Sequence, residues 1–176
     1  MEEKGIYFAK NEFYRLIKTI GGVWNDSKER PIVCLIKSKE HDSLYWAIPM
    51  GNWSHRDEKA KKRIEKYLNK EDSNIESCYY HLGKTTTKSI FFISDVIPII
   101  DDFIEREYKG YNSELYVIKN KKLIAELERK LKRILAYEKV NKNYFRQHIT
   151  DIKNFLINAM DNEEEKIAFT SLADNE

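Results

Sequence analysis

Short apolar runs of strand type alternate with turn signals over the first hundred residues. The first run is Ile6 to Ala9; Pro31 then opens IVCLIK, which the turn HDSL separates from YWAIPM. These two runs predict a hairpin of buried strands, and we expect Pro49 to end the pairing of the second one. Further strands are predicted around 77–82 and 89–93, joined by GKTTTK, and VIPI closes the β part.

Helical periodicity marks the remaining segments. Asn11 is positioned to cap a helix that stops at Gly21, and a polar loop after YWAIPM runs into a lysine-rich helix. From about Asp101 onward the pattern predicts helices, with apolar faces over 120–137 and 144–159 that we expect to form an antiparallel helical hairpin. The predicted fold class is therefore α+β, an antiparallel sheet with added helices and a C-terminal helical hairpin.

Length and composition bound the organisation of the chain. Its 176 residues, 41% hydrophobic and 34% charged, fit one domain and exclude a disordered or a membrane protein. We expect a single domain over 1–160 and a flexible acidic tail over 161–176. The start carries acids where a signal peptide carries bases, and no run of 18 apolar residues occurs, which predicts a soluble cytoplasmic protein.

Charge is segregated along a chain whose net charge is only +2. Residues 55–70 hold seven Lys or Arg and three acids, 119–133 hold seven and two, and the tail over 161–176 holds one base and six acids. Two basic segments are consistent with a groove for a phosphate backbone, whose binding releases counterions. The alternative is a pair of solvated helix faces with ordinary i,i+4 ion pairs.

Metal and thiol chemistry find little support in the sequence. Cys34 and Cys78 lie in apolar strand-like contexts, which predicts reduced core thiols, and the four histidines show no metal-ligand spacing. The loop GKTTTK has a single glycine before a strand, unlike a phosphate-binding Walker loop. We predict no metal and no cofactor.

The segment after YWAIPM combines residue types that RNA-binding sites use. Asn52, Trp53, Ser54 and His55 stand directly before the lysine-rich helix. An aromatic ring can stack on an unpaired base, while amide, hydroxyl and imidazole groups contact the phosphate. The alternative for His55 is an ordinary exposed loop histidine.

The order of these motifs resembles the type III toxin-antitoxin endoribonucleases of the ToxN, AbiQ and CptN groups. The likeness covers 5–157: GIYFAKNEFYRLIK as first strand and helix, a strand pair ending in YWAIPM, the lysine-rich helix, FFISDVIPI, and the helical KNKKLIAELERKLKR. The resemblance implies a strongly bent antiparallel sheet of SH3-like barrel type, as in the MazF/Kid toxins. One departure stands out, because Met50-Gly51-Asn52 occupies the turn where the family typically supplies hydroxyls and a lysine.

The resemblance also implies an activity and partners. It implies metal-independent cleavage of mRNA through attack of the 2′-hydroxyl, which leaves a 2′,3′-cyclic phosphate and a 5′-hydroxyl. It implies inhibition by a small repeat-derived RNA antitoxin and assembly of toxin and RNA into rings or dimers. Two further function classes stay open, a non-catalytic RNA-binding module and a protein-interaction domain of a phage-defence system.

The reaction needs a base and an acid, a cation for the developing charge, and groups that orient the phosphate. An imidazole exchanges protons near neutral pH, which fits His55 to the base or acid role. Arg56, Lys59 and Lys37 are the candidate cations, and Asn52 and Ser54 the candidate orienting groups. The resemblance implies that Tyr7 and Lys10 reach the RNA-binding groove. The other candidate RNA-binding residues are Trp53, Lys61, Lys62, Arg63, Lys66, Lys84, Thr85, Lys119 and Lys122.

Overall fold

The computed structural model describes residues 1–24 and 30–162, which contain an antiparallel sheet and four helices. The fold is α+β, as the sequence predicts. The strands are β1 (Gly5–Ala9), β2 (Ile32–Lys37), β3 (Tyr45–Asn52), β4 (Tyr80–Lys84), β5 (Lys88–Phe92), β6 (Ile97–Ile99) and β7 (Ile104–Glu107). The helices are α1 (Asn11–Thr19), α2 (Glu58–Leu68), α3 (Lys121–Val140) and α4 (Ile149–Asp161).

The sheet runs in the order β4-β5-β3-β2-β1-β7, and β6 pairs with the first half of β3. All described pairings are antiparallel, with register shifts at Cys34 in β2 and at Phe8 in β1. Within the described strands β4 and β7 remain as edges, so the sheet is open. The predicted hairpin of β2 and β3 is confirmed.

Alternating side chains place cores on both faces of the sheet. Tyr7, Cys34 and Ala47 face one core with α1 and most of α4, whereas Ile6 and Val33 face the other core with α3. The helices α3 and α4 therefore cover opposite faces, and the prediction that they pack along each other as a hairpin is wrong. They meet at the connecting turn, where the buried Glu138 accepts hydrogen bonds from the backbone and hydroxyl of Thr150.

The prediction that Pro49 ends the pairing of β3 is wrong. Pro49 pairs with Ile32, and the strand continues to Asn52. The backbone N–H of Met50 points toward β2, where it donates to Pro31 at 2.9 Å, so the nitrogen of Pro49 faces the opposite side. On that side the partner changes from β6, which ends its pairing at Ala47, to β5, which begins at Met50. The missing donor therefore falls at a gap in the ladder.

The chain beyond Asp101 is not wholly helical. Ile104–Glu107 forms the edge strand β7 on β1, although its sequence IERE is mostly charged. Charged side chains are typical of edge strands, where they hinder further pairing, and they hide the alternation that predicts a strand. The segment predicted as one strand from 77 begins instead with a 3₁₀ turn, Ile75–Cys78, followed by β4.

Other expectations concern thiols, membranes and the tail. Cys34 and Cys78 are free and buried, as predicted, and burial raises the pKa of the Cys34 thiol. Within the described ranges no helix combines the length and apolarity that a membrane span needs. Helix α4 extends to Asp161, and the predicted acidic tail from 163 onward lies outside the described residues.

Candidate active site

A cleft of about 320 Å³ lies between the end of β3 and the loop that joins β4 to β5. Its lining includes Asn52, His55 and Arg56 from the turn after β3, Arg30 from the segment before β2, and the three threonines 85–87 of GKTTTK. The side chains of the predicted turn therefore meet the predicted hydroxyl-rich loop in one place. Tyr108, from the segment after β7, closes a further side.

The local sequence explains how His55 is presented. Asn52 caps a 3₁₀ turn, Trp53–His55, because its Oδ1 accepts hydrogen bonds from the Ser54 backbone at 2.9 Å and the Ser54 hydroxyl at 2.7 Å. Trp53 anchors the turn from below, where it is buried with Ile64 and other apolar residues of α2 and β5. The turn is thus held at both ends, and His55 is exposed at its tip.

Arg56 folds back over the strand that precedes it. Its guanidinium carbon lies 5.6 Å from the centre of the Phe92 ring, and that of Arg30 lies 5.0 Å from the same ring. Gly51 makes this possible, since a Cβ at that position would lie 3.0 Å from Nη2 of Arg56. In the turn Met50-Gly51-Asn52, where the resembled family typically has hydroxyls and a lysine, the glycine therefore leaves room for the guanidinium of Arg56.

Both arginines are half-buried, and among the described residues no acid forms an ion pair with either of them. No carboxylate of the described residues lies within 4.0 Å of Arg30 or Arg56, and the Nε of each is buried without a hydrogen-bond acceptor. Burial lowers the pKa of Arg30, and the like charge of Arg56 lowers it further. Two neighbouring cations with unsatisfied donors favour an anion between or beside them, and the planar guanidinium matches phosphate.

The β4–β5 loop supplies hydroxyls at the opposite side of the cleft. The Oγ1 of Thr85 and the Oγ of Ser89 lie 2.8 Å apart, and the Thr85 backbone donates to the carbonyl of Thr87 at 3.0 Å. These bonds close a tight turn between the two strands. The loop is therefore fixed in shape, which suits it to contact a phosphate or a ribose without a large ordering cost.

A larger cavity of about 640 Å³ adjoins the cleft and shares Arg30 and Arg56 with it. Asp95 and Arg146 form a bidentate ion pair in its wall, with distances of 3.0 and 2.6 Å, which raises the pKa of Arg146. We call it the arginine–tyrosine cavity, because its lining includes Arg30, Arg56, Arg63, Arg146, Tyr67, Tyr79, Tyr80 and Tyr144.

The structure brings only some of the predicted catalytic residues together. Asn52, His55 and Arg56 line the cleft. The hydroxyl of Ser54 donates a hydrogen bond to Oδ1 of Asn52, and Lys59 is exposed outside the lining. Lys37 lies elsewhere: its Nζ is 5.5 Å from the ring of Tyr45, at the other end of β3. About 20 Å of strand separates it from Asn52, so the structure does not bring this predicted cation to the cleft.

Among the predicted RNA-binding residues, Thr85 lines the cleft and Arg63 lines the arginine–tyrosine cavity. Tyr7 is buried, with its hydroxyl accepting a hydrogen bond from the Glu2 backbone, and Trp53 is 8% exposed. These two rings therefore lie in the core of the protein and outside both linings. The remaining bases lie at the surface outside both linings, with Lys61 bound to a carboxylate: Lys10, Lys61, Lys62, Lys66, Lys84, Lys119 and Lys122.

Sequence reasoning missed Arg30, Arg146 and Tyr144. Arg30 precedes the apolar run of β2, and the other two lie in the turn between α3 and α4, more than a hundred residues away. No local motif connects these segments. Arg30 had a weak signal in the sequence. It directly precedes Pro31 and the predicted strand β2, and β2 pairs with β3, which ends at the candidate turn.

Comparison with known proteins does not assign the chain. No protein-family model matches it, and no curated protein is significantly similar to it. Over the described ranges, no group of three or more His, Cys, Asp or Glu side chains is placed to hold a metal ion. The cleft is therefore the feature that indicates a function.

Proposed function

We propose that the chain is a metal-independent endoribonuclease toxin of a type III toxin-antitoxin system in phage defence, acting on mRNA in the cytoplasm. The observation that carries the proposal is the cleft itself, where exposed His55 lies with two half-buried arginines that form no ion pair with an acid of the described residues. The SH3-like barrel relationship to the MazF/Kid toxins belongs to the same proposal; the antiparallel pairing of the strands is compatible with it, and the described strands do not close into a barrel.

The proposed chemistry is the transfer of the scissile phosphodiester to its own 2′-oxygen. The 2′-hydroxyl loses its proton to a base and attacks phosphorus, and the 5′-oxygen leaves after it gains a proton. His55 exchanges one of these protons, and Arg30 and Arg56 stabilise the charge that develops on the phosphoryl oxygens. Asn52 contributes the N–H donors of its side-chain amide, because its Oδ1 already accepts hydrogen bonds from the backbone and hydroxyl of Ser54.

The inhibitor is proposed to be a small repeat-derived RNA that occupies the same cleft. Its backbone would run over the exposed bases of α2, with Lys62 and Lys66 at the surface beside the cavity residue Arg63. Such contacts are independent of sequence and weaken steeply with salt. A ring or dimer of toxin and RNA is the assembly that the resemblance implies.

Purified protein tests the proposal with a pair of histidine variants. In the presence of a chelator, we expect the wild type to cut RNA into 5′-hydroxyl and 2′,3′-cyclic phosphate ends, and His55→Ala to cut about 10² to 10⁴ times more slowly. His41→Ala is the matched control, because His41 lies in the turn between β2 and β3, at the far end of the hairpin. Cleavage by His55→Ala at the wild-type rate would refute the assignment.

One observation favours a non-catalytic RNA-binding module as the second candidate. Across the described part of the chain, no hydrogen-bond partner orients the imidazole of His55. A general base is usually held by a third group, and a phosphate-binding surface needs no such group. Salt-sensitive RNA binding without cleavage would establish this candidate, and binding that is insensitive to salt would favour a protein-interaction domain instead.

A further inference from the structure

We infer that the arginine–tyrosine cavity binds the phosphate and base of one nucleotide, and that in the RNA substrate this nucleotide flanks the cleaved bond. The inference rests on the proposed function for its RNA source. Continuity is the first support, because Arg30 and Arg56 line both the cleft and the cavity. An RNA strand that places a phosphodiester at these two guanidiniums therefore extends toward the cavity.

Charge is the second support. The only ion pair found in the cavity wall within the described ranges joins Arg146 to Asp95, and it leaves Arg30, Arg56 and Arg63 without a carboxylate within 4.0 Å. Three cations that share one cavity repel one another, and the attraction of an anion that enters the cavity offsets this repulsion. A phosphate supplies that anion and accepts several hydrogen bonds from guanidinium groups at once.

Shape and ring chemistry are the third support. The cavity volume of about 640 Å³ is typical of pockets that hold small organic ligands. Tyr67 stacks on Tyr79 with ring centres 5.5 Å apart, and Tyr80 meets Phe92 edge to face, so these rings form a rigid apolar wall. The rings would take a flat, weakly polar group and the arginines a phosphate, and a nucleotide combines these two groups.

Tyr144 is the ring best placed to stack on a base. It is 52% exposed, whereas Phe145 beneath it is 4% exposed and meets it edge to face at 5.2 Å. Tyr137 also contacts Tyr144, at 4.8 Å, so the ring is held by two neighbours while about half of the residue remains accessible. Arg63 stands on α2 in the same lining and is also exposed, which allows it to contact the phosphate of the same nucleotide.

The test uses His55→Ala as background, so that binding is measured without cleavage. We expect a labelled RNA oligonucleotide to bind at least tenfold more weakly when Tyr144→Ala or Arg63→Gln is added. Tyr144→Phe keeps the ring and should retain the affinity, which separates stacking from the hydroxyl contact with Tyr79. Tyr111→Ala and Arg15→Gln are matched controls outside the cavity, at a 94% exposed tyrosine and at an arginine paired with Glu12. Thermal melting verifies that each variant is folded.

Free mononucleotides form the second arm and identify the source of the ligand. If the four nucleoside monophosphates bind as tightly as the oligonucleotide and lose affinity in the same variants, the cavity takes a free nucleotide. If the oligonucleotide binds much more tightly, the ligand is a nucleotide of RNA. Both results are binding measurements and do not require cleavage of RNA. A failure of the proposed ribonuclease activity can therefore be distinguished from a failure of the inferred nucleotide site.

Cleavage mapping in the otherwise wild-type chain provides the third arm. We expect Tyr144→Ala to reduce the base preference at one position beside the cut about tenfold and to raise KM, with kcat changed less than threefold. The inference is overturned if folded Tyr144→Ala and Arg63→Gln variants bind both probes like their parent. It is equally overturned if an acidic peptide binds the cavity and neither nucleotide probe does.

Discussion

Two basic concavities lie at opposite ends of the β2–β3 hairpin, and they differ in how their charges are satisfied. The arginine cleft around His55 holds half-buried guanidiniums, those of Arg30 and Arg56, which form no ion pair with the acids that the structure describes. The other concavity, which we call the lysine cleft, has a volume of about 730 Å³ and includes Lys37, Lys139 and Lys153. There Lys153 binds Glu40 at 2.7 Å, and the buried Glu138 adds negative charge.

This difference shows why a count of bases does not locate a binding site. Lysines at a surface keep their hydration and pair with nearby acids at little cost or gain. Guanidiniums held together in a half-buried site without an acid destabilise the free protein, and an anionic ligand removes that penalty. The arginine cleft is therefore the better candidate for a phosphate site, although the lysine cleft is larger.

The largest effect is expected from removing both guanidiniums of the arginine cleft. We expect Arg30→Ala combined with Arg56→Ala to reduce the rate of RNA cleavage at least about 10²-fold, since stabilisation of the developing charge is lost. Lys139→Ala combined with Lys142→Ala in the lysine cleft should change the rate less than threefold. Rates measured under single-turnover conditions make the comparison, and equal losses in the two double variants would remove the distinction between the clefts.

A subtler change tests the position of one guanidinium. Gly51→Ala places a Cβ 3.0 Å from Nη2 of Arg56, so the flexible end of that side chain must move away from Phe92. We expect about a tenfold loss of cleavage with little change in the melting temperature. Ser43→Ala, in the turn at the other end of the hairpin, is the control. Full activity of a stable Gly51→Ala protein would show that this position of Arg56 is unimportant.

The free energy of unfolding is expected to depend on Glu138 in the lysine cleft and hardly on Arg30, which reverses the order expected for RNA cleavage. Glu138 accepts hydrogen bonds from the Asn143 backbone at 2.7 Å and from both donors of Thr150. We expect Glu138→Ala to lower the free energy of unfolding by about 2 kcal/mol or more, because buried donors lose their acceptor. Arg30→Gln should leave it within about 0.5 kcal/mol of the wild type or raise it, because the change removes a half-buried charge beside Arg56 and breaks no ion pair of the described residues. Urea unfolding measures both, and a larger loss for Arg30→Gln would contradict the contrast.

The smallest expected effect is a pH dependence from outside both clefts. Burial lowers the pKa of His81 in β4, and the neighbouring Lys130 lowers it further. The unfolded chain therefore binds the proton more readily, so His81 favours the folded state above about pH 6.5 and this contribution is lost as pH falls below that value. His81→Gln should flatten the decline of unfolding free energy between pH 7 and 5. An unchanged slope would assign the decline to other groups.

The buried strands and the amphipathic helices were predictable from sequence, because their apolar periods reflect the faces they bury. The edge strand β7 was not, since IERE pairs only with β1 and carries charges outward. The opposite placement of α3 and α4 was missed for another reason: each shows one apolar face, and periodicity does not tell which side of a sheet that face covers.

The candidate site was predictable where it is local. Asn52, His55 and Arg56 follow one another in a single turn, so their residue types identified it. Arg30 and Tyr144 reach the same region through tertiary packing, and sequence alone gave no reason to join them to the turn. The burial of Trp53 was not predictable, because its sequence neighbours are polar while its ring packs beneath the turn against α2 and β5.

The central claim is that the chain cuts cellular RNA with the turn that carries His55. Expression from a tightly repressed promoter, with wild type and His55→Ala in parallel, tests it most directly when growth and RNA ends are followed together. We predict growth arrest with new 5′-hydroxyl ends for the wild type, and neither for a His55→Ala protein that accumulates to the same level. Normal growth and intact RNA with the wild type, or arrest and cleavage with the variant, would contradict the account.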